Sequence, residues 1–267
     1  MARFFVERDG VRLAVEEVGE GRPVVFQHGL GGNAGQVAEV FPREPAVRRI
    51  TLECRGQGLS EPGPLAKLQI GTFSADVAFL AEHLRLGRAI FGGISLGAAI
   101  ALRLAVNRPD LVGGLILARP AWLFDLAPEN MRPYAQVGEL LERHDPKTAR
   151  VRFRKSATAR RLAREAPDNL ASLNGFFDHP QPKMLGALLR AIAADGPCVS
   201  AALVRSMIRV PTLVIGHGED LAHPWEYAEA LAATIPDARL VRITSKTVDR
   251  GRYVAEFKAA VAAFLAA

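Results

Sequence analysis

One short stretch, Gly93-Ile94-Ser95-Leu96-Gly97, constrains this chain more than any other part of its sequence. It stands between an apolar run, Ala89-Ile90-Phe91-Gly92, and a helix-like segment over 98–106. A strand that passes into a helix at such a point must turn sharply. A serine on that turn has its hydroxyl exposed and neighbouring backbone N–H groups aimed outward. The flanking glycines have a steric reason: the turn brings helix against strand, and side chains at 93 and 97 would collide. The spacing therefore predicts strand, strained turn at Ser95, and helix.

The rest of the chain is punctuated in a way that extends this unit. Apolar and polar residues alternate over 4–7 and again over 11–18, joined at Asp9-Gly10, a strong hairpin signal. Short apolar runs at 23–27, 49–53, 114–118, 210–216 and 239–243 read as strands. Helix-period stretches lie between them, such as 73–84 and 253–265, the latter with Phe257, Val261 and Phe264 at helical spacing. Continuous apolar strands alternating with helices imply an α/β architecture, a mostly parallel doubly wound sheet covered on both faces and preceded by the β-hairpin. Between the strands at 114–118 and 210–216 the sequence is rich in helix formers, broken at Pro128, Pro133, Pro146, Pro167, Pro180, Pro182 and Pro197. Residues 119–209 are expected to form a helical cap inserted in a single domain spanning 1–267.

Composition narrows the function classes. With 49% hydrophobic and 23% charged residues, the chain can bury a sizeable core. The net charge of +6 comes from 34 Lys+Arg against 28 Asp+Glu scattered along the chain, which argues against a nucleic-acid face. The densest basic stretch, from Arg150 to Arg161, reads as a solvated helix face. Cys54 and Cys198 make neither a disulfide framework nor a metal-ligand spacing, which fits a reducing compartment. Charge appears too early at the N-terminus for a secretory signal, and no apolar run reaches spanning length. A cytoplasmic protein with a small-molecule substrate, no membrane or nucleic-acid partner and no metal or organic cofactor is the expectation.

Taken in order, the hairpin, the strand ending at His28-Gly29-Leu30-Gly31-Gly32, the Arg55-Gly56-Gln57-Gly58-Leu59-Ser60 loop, the Gly-x-Ser-x-Gly turn, the cap and the closing strands resemble the α/β-hydrolase fold family. The resemblance covers nearly the whole chain apart from the cap. It implies that Ser95 is the nucleophile and that the backbone N–H groups of Leu30 and Leu96 form the oxyanion hole. His28, Gly29, Gly93 and Gly97 would support them. Gln57 stands where a histidine often does, a change expected to affect packing more than chemistry. The acid should lie in Gly216-His217-Gly218-Glu219-Asp220-Leu221-Ala222-His223-Pro224. Asp220 is the choice and Glu219 the alternative, with helix capping ahead of Pro224-Trp225-Glu226 as the plain structural reading of Asp220.

The family places its histidine between the last strand and the last helix, and this chain has none there. No histidine occurs after His223. Counting back from Phe257 and Phe264 puts the histidine position at Lys246 or Thr247. Threonine is no base near neutral pH, and lysine becomes one only when its pKa falls well below about 10.4. Lys246 is therefore expected in the site with Ser95 and Asp220, as an unusual base, an electrostatic clamp for an anionic group, or a structural ion pair. His217 and His223 are alternative bases, His179 and His144 lie in the cap, and His83 is expected to be structural. The function expected is hydrolysis of a small ester, lactone or related acyl compound. The alternatives are cofactor-free lyase or isomerase chemistry in the same pocket, and ligand binding without turnover.

Overall fold

Asp9 and Gly10 both take positive φ (54° and 71°), the backbone geometry that a two-residue hairpin turn requires. They let β1 (Ala2–Arg8) fold back antiparallel on β2 (Val11–Val18), with Arg8 opposite Val11 and Ala2 opposite Glu17. The computed structural model describes residues 1–267. Strand β2 pairs antiparallel with β4 (Arg48–Leu52). All further pairings are parallel, through β3 (Pro23–Gln27), β5 (Ala89–Ile94), β6 (Val112–Ala118), β7 (Thr212–Gly216) and β8 (Ala238–Arg242). The strand order is β1-β2-β4-β3-β5-β6-β7-β8. The chain thus winds outward from β3 to β4, returns to β5 and winds the other way. A crevice opens between β3 and β5 at their C-terminal ends, where open parallel sheets bind ligands.

Successive strand residues face opposite sides, and the core divides accordingly. Val25, Phe91, Leu115, Leu117 and Val214 join the larger apolar cluster, which includes α2 (Ile70–His83) and α3 (Leu96–Asn107). Val24, Phe26, Ile90, Ile116, Leu213 and Ile215 join the smaller one, with α1 (Ala34–Val40) and α11 (Arg250–Ala266). Helix α11 buries Tyr253, Phe257, Val261 and Leu265, a four-residue repeat that keeps one stripe on the sheet. Its start is capped by Asp249, whose carboxylate accepts from the Arg252 N–H at 2.9 Å.

Between β6 and β7 the chain carries no strand and is mostly helical: α4 (Arg132–Arg143), α5 (Pro146–Arg154), α6 (Ala157–Glu165), α7 (Pro167–Gly175), α8 (Pro182–Ala193) and α9 (Ala201–Met207). Four of the prolines that break this segment start helices or stand beside their first residue: Pro133, Pro146, Pro167 and Pro182. Helices α4 and α8 cross closely at Gly138 and Gly186, where a Cβ on Gly138 would stand 2.7 Å from the Gly186 carbonyl oxygen. The sequence pattern places the central elements within a few residues, but misses α1 and starts α2 three residues late. Helix α1 is too short for periodicity to show, and depends on the Asn33 cap accepting from the Gly35 N–H at 2.9 Å. Helix α10 (Trp225–Thr234) follows β7 without a side-chain cap, so Asp220 does not serve as its N-cap.

The glycines beside Ser95 are sterically required. A Cβ on Gly97 would lie 2.5 Å from the Gln27 carbonyl oxygen, and one on Gly93 would lie 2.6 Å from the Gly97 Cα. Both obstacles are backbone, which cannot turn aside. Gly97→Ala is expected to lower stability by about 2 kcal/mol or more, the range of core overpacking. A urea melt with a lower midpoint at unchanged slope would verify this; an unchanged midpoint would mean that helix and strand can separate freely.

Candidate active site

Strand β5 ends at Ile94 and α3 begins at Leu96, so Ser95 alone makes the turn. Its backbone sits at φ 57° and ψ −108°, a strained region for a residue with a side chain, costing on the order of 1–3 kcal/mol. Neighbouring structure holds it there. The Ser95 N–H donates to the Ala118 carbonyl at the end of β6 (2.9 Å), and the Ser95 carbonyl accepts from the Ala99 N–H (3.1 Å). Only 8% of Ser95 is solvent-exposed, yet it lines a cavity of about 160 Å³. The walls include Leu30 and Gly31 from the loop after β3, Tyr134, Asn169, Ser172 and Phe176 from the helical segment, and Arg119, His223 and Lys246.

The Ser95 hydroxyl meets His223, whose Nε2 lies 2.8 Å from Oγ. On the other side of the ring, His223 Nδ1 lies 2.9 Å and 2.8 Å from the two Asp220 carboxylate oxygens. The network sets the tautomer: Nδ1–H donates to Asp220, leaving Nε2 to accept from Ser95. Asp220 and His223 are three residues apart on the loop after β7, and Asp220 Oδ1 also accepts from the His223 backbone N–H (3.1 Å). Two further groups hold the carboxylate. Arg119 donates through Nε (3.0 Å) and Nη2 (2.6 Å) to Oδ2, and Asn169 Nδ2 donates to Oδ1 (2.9 Å). Asn169 is itself fixed, since its Oδ1 accepts from the Ala222 N–H at 3.0 Å. Arg119 Nη2 also comes within 3.2 Å of His223 Nδ1; in this tautomer both are donors crowded around one carboxylate.

These contacts set the charges. Burial alone would raise the Asp220 carboxyl, but Arg119 and then His223 outweigh it and hold it well below the ordinary carboxylate range. Burial lowers the His223 imidazole; Asp220 opposes that shift and Arg119 adds to it, and the ring stays below its usual value. A neutral imidazole with a free Nε2 lone pair facing a serine hydroxyl is equipped to take its proton.

The backbone N–H groups of Leu30 and Leu96 donate to no acceptor within the protein. Leu96 is the first residue of α3, where an N–H has no partner inside the helix and the helix dipole favours negative charge. The amides on either side of Leu30 are occupied: Gly29 N–H donates to Gln36 Oε1 and Gly31 N–H to Gln57 Oε1, each at 2.7 Å. Thus Gln57 anchors the loop that presents Leu30. His28 anchors it too. Its Nδ1 donates to the Gly29 carbonyl (2.8 Å) and its Nε2 accepts from the Cys54 N–H (3.0 Å), tying the loops after β3 and β4 together beneath the cavity.

The family model for the alpha/beta hydrolase fold matches residues 22–245. The chain belongs to the α/β-hydrolase fold family. Among curated members, the "Putative carbamate hydrolase RutD" of Rhizobium rhizogenes is 30% identical over 230 residues, covering 83% of both chains. Among solved structures, an N-acyl homoserine lactone degrading enzyme, Est816, superposes with a TM-score of 0.67 at 28% identity, over 90% of this chain and 91% of its own. The enol-lactonase of Burkholderia xenovorans LB400 superposes with a TM-score of 0.72 at 25% identity, over 98% of this chain and all of its own (100%).

Against the family pattern, the position after β8 differs from what the sequence led us to expect. Lys246 makes neither a hydrogen bond to Ser95 nor an ion pair with Asp220. Its ammonium rests 5.0 Å from the centre of the Tyr253 ring and lines the cavity. The hydroxyl is met by His223 because the loop after β7 carries acid and histidine together, close enough in sequence for one turn to join them. Thr247 is exposed. Glu219 points elsewhere, its carboxylate accepting from the Ser245 hydroxyl at 2.6 Å. His217 also stays off Ser95: Nδ1 donates to the Gly218 carbonyl (2.7 Å), and Nε2 stands 3.5 Å from Asp220 Oδ2. His179 accepts from the Gln181 N–H within the helical segment, and His83 stacks on Phe79. Arg119 escaped sequence reasoning, although its place directly after β6, beside the crevice, was a usable signal. No group of three or more His, Cys, Asp and Glu side chains is arranged to hold a metal ion.

The buried histidines make stability depend on acidity. Burial lowers His28, His217 and His223, with His217 pushed down to about 4. Above the ordinary histidine value of 6.5, folded and unfolded chains are both neutral at these sites and no cost arises. Below it, the unfolded chain binds protons that the folded chain refuses, so stability falls as pH drops. His217 alone would account for on the order of 3 kcal/mol by pH 4. Urea melts at pH 7.5, 6.5 and 5.5 should show a midpoint that declines only below about 6.5. A midpoint constant down to pH 5 would refute neutral burial.

Proposed function

We propose that this chain is a serine hydrolase of small esters, lactones or related acyl compounds, with Ser95 as nucleophile, His223 as general base and Asp220 as the acid behind it. The observation that carries the proposal is the continuous Ser95–His223–Asp220 hydrogen-bonded chain opening on a cavity. The names of the relatives, for carbamate and for lactone substrates, support an acyl substrate. A full set of nucleophile, base and acid favours acyl transfer over lyase or isomerase chemistry, which would need no such relay.

The chemistry follows from the contacts. His223 Nε2 takes the Ser95 proton as Oγ attacks the substrate carbonyl. The new imidazolium is held by Asp220 through Nδ1–H. The carbonyl oxygen gathers negative charge and is stabilised by the Leu30 and Leu96 N–H groups, free to donate to it. His223 then gives its proton to the leaving oxygen or nitrogen, the tetrahedral species collapses, and an acyl group remains on Ser95. Water, deprotonated by the same Nε2, releases the acid and restores the serine. Arg119 tempers this cycle. It keeps Asp220 ionised but stands close to the charge that His223 acquires, so the base works with a depressed pKa.

A fluorophosphonate probe tests the assignment directly. Wild type should be labelled at Ser95, Ser95→Ala should not, and labelling should slow far more in His223→Ala than in Lys246→Met. Loss of the base should cost about a thousandfold or more in rate. Equal slowing in the two variants would return the base to Lys246 or deny either that role. The acid limb of kcat/KM should fall below about 6.5, the unperturbed histidine value. Replacing Arg119 with methionine should move that limb upward, because a positive charge near the imidazolium is lost. A limb that stays in place would remove Arg119 from the electrostatics of the base.

A further inference from the structure

We propose that Lys246 binds an anionic substituent of the substrate, so that the preferred substrates are small esters or lactones carrying a carboxylate remote from the scissile carbonyl. This rests on the serine-hydrolase reading above. The charges around the cavity point to it. Asp220 is fully committed to Arg119, Asn169 and His223, and Arg119 is balanced by Asp220. Lys246 is the cation left over. It is half-buried, has no ion-pair partner, and is steadied only by the face of Tyr253, 5.0 Å from the ring centre. Three acids on the adjoining segments are engaged elsewhere, Glu39 with Arg250, Glu256 with Arg252 and Glu219 with Ser245, while Asp168 at the start of α7 acts on Lys246 through space without forming an ion pair with it.

A lysine kept for structure would be expected to meet one of these carboxylates. Lys246 instead faces the space in front of Ser95. The other polar groups there extend the same preference. Gln36 has its Oε1 occupied by the Gly29 N–H, which leaves its NH2 to donate, and Ser172 brings a hydroxyl to the same wall. The cavity lining thus offers donors and one positive charge without an ion-pair partner, and no carboxylate. Burial and then the Arg119 charge lower the Lys246 ammonium, and the more distant Asp168, Glu39 and Asp220 charges only partly oppose them, the mark of a cation deprived of water. A carboxylate arriving beside it replaces the lost hydration with a charge-assisted hydrogen bond. The volume of about 160 Å³ limits that substrate to a short chain.

The test is protection of Ser95 from a neutral fluorophosphonate by monomethyl succinate, which carries a carboxylate, and by dimethyl succinate, which does not. Wild type should be protected by the half-ester at a concentration at least tenfold lower. In Lys246→Met that ratio should collapse towards parity, and Lys246→Arg should keep most of it. Labelling of each variant serves as its control for folding. Equal protection by the two esters in wild type, or a ratio that survives in Lys246→Met, would overturn the anion site while leaving the serine hydrolase intact. Absence of Ser95 labelling in wild type would instead strike the hydrolase reading itself, and the anion site that rests on it.

Discussion

A single buried carboxylate organises the site. Asp220 accepts from Arg119, Asn169, the His223 ring and the His223 backbone, which together draw on three parts of the fold. Arg119 follows β6, Asn169 belongs to α7, and His223 shares the loop after β7 with Asp220. An isolated carboxylate there would be neutralised or would open the structure, because burying charge without partners is costly. With them it stays ionised, and pulls the helical segment, two strand ends and the histidine into one geometry. The Arg119 pair makes that geometry rigid, at some expense to the basicity of the neighbouring imidazole.

Around that charge, the sheet supplies a strained turn and a quiet loop. Ser95 occupies its unusual backbone angles because β5, β6 and α3 all hold its ends, and glycines at 93 and 97 permit the closeness. The loop after β3 is fixed by side chains more than by backbone: His28 donates to the Gly29 carbonyl, and Gln36 and Gln57 accept from the Gly29 and Gly31 N–H groups, which leaves the Leu30 amide free. Glu53 extends the same scheme, accepting from the Ala34 N–H (3.0 Å) and the Leu59 N–H (2.6 Å) and so tying the start of α1 to the loop after β4. The Leu30 and Leu96 amides and the Lys246 ammonium, which face or border the cavity, make no hydrogen bond or ion pair within the protein.

Much of the frame was legible in the sequence. The hairpin at Asp9-Gly10, the apolar strands and the Gly-x-Ser-x-Gly turn are local signals, because turn chemistry and period depend on neighbours in the chain. Strand edges in the structure lie within a residue or two of the sequence pattern, and α1 leaves no trace in it, since a seven-residue helix held by an Asn33 cap has no periodicity to read. In the site, the positions of Ser95, Leu30, Leu96 and Asp220 followed from the motif order. Lys246 was expected beside them because loop lengths set which residue follows the last strand, and it does line the cavity. Its lack of contact with Ser95 could not be seen from spacing.

What the sequence by itself determined is therefore the order of strands and helices and the existence of a serine on a forced turn, properties carried by residues close together in the chain. Only the tertiary structure decided which group meets that serine. Ser95 and His223 lie 128 residues apart, and Arg119 and Asp220 are separated by 101. Whether a histidine ring reaches a hydroxyl depends on where two loops are carried by β5 and β7, and on the charge that orients the ring once there. Hydrogen bonds and ion pairs act over a few ångströms of space, and a linear spacing rule has no knowledge of that distance.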